Sequence, residues 1–115
     1  MTFPDDDNGD VLRRMFEGGD SLKQARDIDF AHRFVHGRAA ETFAALAGGA
    51  GLQISIQDVE DAPETSWDVI VTANMIPDHQ AIGAFERRLA DQAERLGGQA
   101  DGWGCFRIID QPAID

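Results

Sequence analysis

The spacing of apolar positions switches repeatedly along the chain between a helical period and a period of two, and the switches mark out its elements. Val11, Leu12, Met15 and Phe16 fall at helical spacing behind the acidic run Asp5 to Asp10. Asp7 is the expected N-cap, acidic residues suit a helix N-terminus, and Gly18-Gly19 ends the helix. Asp20 to Ala25 reads as a loop. From Asp27 to Val35 the period is two: Ile28, Phe30 and Phe34 share one parity with His32 between them, and Asp27, Asp29, Ala31, Arg33 and Val35 share the other. Beyond Gly37 the helical pattern returns over Arg38 to Ala47, with Phe43 and Leu46 on one side and Gly48, Gly49 and Gly51 as the stop.

Leu52, Ile54 and Ile56 then alternate with Gln53, Ser55 and Gln57, a second half-buried strand. Asp58 to Ser66 is a polar connection carrying Pro63. Trp67, Val69, Val71, Ala73 and Met75 define one face of a third strand, with Asp68, Ile70, Thr72 and Asn74 opposite. Pro77-Asp78 opens the longest helix, capped by Asp78 and striped with Ile82, Phe85, Leu89 and Leu96. Gly97-Gly98 closes it, Gln99 to Ile109 forms the last strand, and the residues after Asp110 read as a tail.

A helix followed by β-α-β-β-α-β implies two right-handed crossovers around a central link. That is an α+β, ferredoxin-like sandwich with an antiparallel sheet in the order 4-1-3-2. Residues 1–115 are expected to form a single domain. Both long helices cover one sheet face, so Asp27, Asp29, Arg33, Asp68, Thr72 and Asn74 point to the open face. In the last strand Gly102, Gly104, Phe106 and Ile108 share one parity; if Phe106 and Ile108 join the core, the two glycines sit under a helix and permit close approach. The other parity, with Asp101, Trp103, Cys105 and Arg107, then joins the open face. The pattern leaves the N-terminal helix either on an edge or on the open face. Two readings of Trp103 follow: an exposed anchor ringed by Asp27, Asp29 and Asp101, or a residue covered by the N-terminal helix.

Charge narrows the partners. The net charge of −11, from 21 acidic and 10 basic residues, leaves no basic stripe with which to replace phosphate counterions. RNA-recognition modules share this element order, but need stacking aromatics on the central strands and basic surroundings. Here Asp27, Asp29 and Asp68 occupy that face, so direct nucleic-acid binding is not expected. An acidic surface attracts basic partners, though acidity also serves solubility alone. No apolar run has the length of a membrane span, and the N-terminus has no secretory apolar core, which favours the cytoplasm.

The residues point to no cofactor and no catalytic set. Asp27, Asp29 and Asp101 have the oxygen ligands of a hard cation, but no calcium-loop spacing joins them, and a solvated acidic face, or pairing with Arg26 and Arg33, is the simpler reading. His32 has core parity, whereas His36 and His79 fall near element ends, within reach of water. Cys105 lacks a base partner in the sequence and suits a buried thiol. Gly48-Gly49-Ala50-Gly51 follows a helix, which makes it a stop signal and not a phosphate cradle. A small enzyme or ligand-binding domain, with a pocket between the sheet and the N-terminal helix, is the rival reading. An oligomerising module using the open face is a third.

The segment "ADGWGCF", Ala100 to Phe106, resembles the "DGWG" signature of the regulator of ribonuclease E activity B family. "GGDSLKQARDIDFAHRF", Gly18 to Phe34, is similar to that family's loop and first strand, and the resemblance runs from about Asp7 to Phe106. It implies a ferredoxin-like protein without catalysis of its own, which binds ribonuclease E at an arginine-rich scaffold and lowers its activity toward RNA. The founding type carries a long acidic tail, whereas this sequence ends in QPAID. The partner implied is therefore ribonuclease E or a similar basic protein segment, with Asp27, Asp29, Asp101 and Trp103 as the expected contact.

Overall fold

The first helix, α1 (Asp7–Glu17), begins one residue before the expected point. Asp6 is its N-cap, because its carboxylate accepts the Gly9 N–H at 2.7 Å. The helix ends in a double backbone closure, Asp20 N–H to Met15 O and Gly19 N–H to Phe16 O, made possible by a positive φ of 104° at Gly19. The computed structural model describes residues 2–49, 51–59, 66–106 and 108–109. Pro63, Arg107 and the tail after Asp110 lie outside the described residues.

The remaining elements are β1 (Arg26–Phe34), α2 (Gly37–Ala47), β2 (Gln53–Val59), β3 (Ser66–Met75), α3 (His79–Arg95) and β4 (Gln99–Cys105). They form an antiparallel sheet in the order β2-β3-β1-β4, the arrangement expected of a ferredoxin-like sandwich. Asp78 caps α3 by accepting the Ala81 N–H at 3.0 Å, as the sequence implies.

The parities of β1 and β3 follow the sequence reading. Ile28, Phe30, His32 and Phe34 are buried, and they pair across the strands with Ala73, Val71, Val69 and Trp67. Phe43 of α2 packs on Phe34 and His32 at ring separations of 5.2 Å and 4.7 Å, and Phe85 of α3 packs on Phe30 at 4.9 Å. Each such side chain removed from water contributes roughly 1.5–3 kcal/mol. Leu46 departs from expectation: it is exposed, and Ala40, Phe43 and Ala47 form the buried stripe of α2. After α3 the chain passes so close to the core that a Cβ on Gly98 would overlap the Phe34 ring.

The register of β4 is the main correction. Trp103 lies opposite Phe30 and Cys105 opposite Ile28, both on the core parity, whereas Gly104 lies opposite the open-face Asp29. A bulge separates Trp103 from Asp101: Asp101 and Gly102 together oppose Ala31, with Gly102 at a φ of 96°. The register from Trp103 to Cys105 is regular, so the reversed face follows from placing Phe106 in the core. The strand ends at Cys105, and Phe106, expected in the core, is 91% exposed. The N-terminal helix covers the helical side of this edge, not the open face: α1 lies beside α3 and over Trp103. Among the described residues no helix is long and apolar enough to cross a membrane.

Candidate functional site

The open face is built from cross-strand pairs that the sheet register brings directly opposite one another. Asp29 accepts the Thr72 hydroxyl at 2.6 Å, Asp27 accepts the Asn74 amide at 3.1 Å, and Arg33 donates Nε–H to Asp68 at 3.2 Å. Such pairs stabilise a sheet modestly and fix where their charges stand. The charge of Arg33 is answered first by Asp68 and then by Asp101, and both raise its pKa. Among the described residues no cation pairs with Asp27 or Asp29.

A row of residues crosses the whole face at one level: Gly104, Asp29, Thr72 and Gln53, each opposite the next. Gly104 carries no side chain, so the sheet is low beside Asp29. A shallow groove of about 470 Å³ opens there, lined by Asp27, Asp29, Thr72, Gln53 and Gly104, with the exposed Phe106 at one end. Two carboxylates with no cation partner among the described residues, next to an exposed aromatic ring, suit a guanidinium or ammonium group on a partner.

Three of the four expected contact residues, Asp27, Asp29 and Asp101, are exposed at this face. Trp103 is not among them, because the bulge turns it to the helical side. There its indole N–H donates to Oδ1 of Asn8 at 2.7 Å, and Asn8 in turn donates to Glu86 at 3.1 Å. The relay joins β4, α1 and α3. Phe106, not Trp103, is the aromatic group on the acidic face. Sequence periodicity missed it because the strand stops one residue earlier.

A second feature was invisible in the spacing. Asp20 is fully buried and forms a two-pronged ion pair with Arg26. Asp20 also accepts the backbone N–H groups of Leu22 and Ile108 at 2.9 Å and 3.0 Å, and Arg26 donates to the Phe106 carbonyl at 3.3 Å. This pair ties the loop before β1 to the chain leaving β4. Burial pushes the Asp20 pKa up, but the bonds from Arg26, Ile108 and Leu22 outweigh it, and the net direction is down. The only sequence signal was an acid after two glycines and an arginine at the strand start.

The other titratable groups do not assemble a reaction centre. Burial pushes the Cys105 thiol up, which keeps it protonated and poorly nucleophilic. Burial lowers the His32 pKa, and its Nδ1 has no hydrogen-bond partner among the described residues. His79, expected to meet only water, instead bonds through Nε2 to the Asp6 carboxylate at 2.8 Å and clasps α3 to the start of α1. Among the described residues no group of three or more His, Cys, Asp or Glu side chains could hold a metal ion.

A family model described as regulator of ribonuclease activity B matches residues 5–105, and the chain belongs to that family. A comparison with curated proteins found no match.

Proposed function

We propose that this chain acts as a single folded domain in the cytoplasm, without catalysis of its own. It binds ribonuclease E through a basic, arginine-rich segment of that enzyme and lowers the enzyme's activity toward RNA. Family membership supports the regulation of a ribonuclease. The observation that carries the mode of binding is the pair Asp27 and Asp29, held in the open-face groove with no cation of their own among the described residues. Asp101 at the neighbouring bulge and the Phe106 ring extend that surface.

The physics of the contact is electrostatic capture. The net charge of −11 draws a basic segment toward the domain from a distance. At the face, guanidinium groups meet carboxylates already oriented by Thr72 and Asn74, so little ordering is left for the binding step. A segment held this way is unavailable for RNA.

The test is RNA cleavage by ribonuclease E of the same organism, in its full form and as its catalytic part without the basic scaffold. The chain is expected to slow the full enzyme and leave the catalytic part unaffected. Equal slowing of both, or of neither, contradicts capture of the scaffold.

A further inference from the structure

The sheet ends at β4, and among the described residues no backbone group bonds to its outer edge. Its sequence, QADGWGC, contains neither lysine nor proline, and the bulge at Asp101-Gly102 blunts only the first half of the edge, leaving Trp103 to Cys105 in regular register. Grooves flank this edge on both faces. On the helical side, Val11 and Met15 of α1 stand across about 420 Å³ from Trp103 and Cys105, with Arg14 also at the wall. On the open side lies the acidic groove of Asp27 and Asp29. Gly104 borders both, so no side chain separates them at that level.

A strand laid along β4 would send successive side chains alternately to these two faces. We propose that β4 accepts an extended segment of the partner as a fifth strand, with apolar side chains entering the groove between α1 and β4. Basic side chains, at alternate positions, turn to the acidic face. The two sides are sorted by charge: Arg14 repels a cation on the helical side, and Asp29 attracts one on the other. Main-chain bonds along the edge supply affinity, and the alternating grooves supply selectivity. The proposal takes the source of the segment, the ribonuclease scaffold, from the function proposed above.

Amide hydrogen exchange tests it, measured on the full chain free and saturated with the ribonuclease E scaffold of the same organism. Outward-facing β4 amides are expected to gain protection in an alternating pattern. Val11→Glu, which puts a carboxylate in the apolar groove, is expected to weaken scaffold binding by about tenfold or more with the melting temperature checked alongside. Binding without new protection in β4, or with new protection in β2 instead, overturns strand addition and leaves the regulator reading intact. Protection of β4 in the free chain that disappears on dilution assigns the edge to a second copy and also overturns it. Absence of any scaffold binding removes the ribonuclease reading, and this inference with it.

Discussion

The indole N–H of Trp103 donates to the side-chain oxygen of Asn8 at 2.7 Å, joining the last strand to the first helix. The glycines around that tryptophan have separate tasks. Gly102 adopts the positive φ of the bulge that turns Trp103 inward, and Gly104 keeps the open face low beside Asp29. The DGWG segment is thus a device for seating α1, and it shapes the acidic groove as a consequence.

Trp103→Phe keeps most of the packing and removes the bond, so it is expected to lower stability by about 1 kcal/mol in urea unfolding. Combined with Asn8→Ala, the losses should fall short of additivity by about 1 kcal/mol, since both changes remove one contact. Full additivity would show that the bond contributes nothing.

Asp20→Asn leaves the buried Arg26 guanidinium without its counter-charge, and is expected to destabilise the fold by about 3–5 kcal/mol. The pH dependence has a defined sign. Asp20 has a depressed pKa in the folded state, so its contribution is present above the ordinary value of 3.8 and is lost as pH falls through the folded value. Acid unfolding of the wild type and the variant should therefore converge at low pH.

Most of the architecture was legible because β1 and β3 are central strands with one face against helices. Ile28, Phe30 and Phe34 must then alternate with polar residues, and strand order follows from two right-handed crossovers. The face of β4 was not legible. A count anchored on Phe106 as a core residue fails, because the strand ends at Cys105 and Phe106 is exposed. Plain periodicity also keeps Asp101 and Trp103 on one face, and the bulge opposite Ala31 separates them. An edge strand with two glycines also has few side chains to reveal the slip. Asp27 and Asp29 could be read from the parity of β1 and from charge, whereas the faces of Asp101 and Phe106 depended on the bulge and on the strand end. Asp20 and Arg26 needed the fold itself, because their bonds to Ile108 and Phe106 span 88 and 80 positions.

His32 gives a separate pH signature. Its pKa is lowered by burial, so between the ordinary 6.5 and the folded value the unfolded chain binds a proton that the native one does not. Stability is expected to be full above pH 6.5 and to decline below it, by at most about 1.4 kcal/mol per pH unit from this one group. His32→Leu should remove that part of the decline, measured as the difference between the two urea-derived stabilities at pH 7.5 and pH 5.5. A difference that does not change with pH contradicts a neutral buried imidazole.

The most direct test of acidic capture is calorimetric titration of the ribonuclease E scaffold into wild type and the double variant Asp27→Asn/Asp29→Asn, at low and high salt. The variant keeps the acceptor oxygens used by Thr72 and Asn74, so the melting temperature should hold while the charge is removed. Binding is expected to weaken with salt and to fall by about tenfold or more in the variant at low salt. Equal affinity in wild type and variant, or no binding by a folded wild type, would contradict acidic capture.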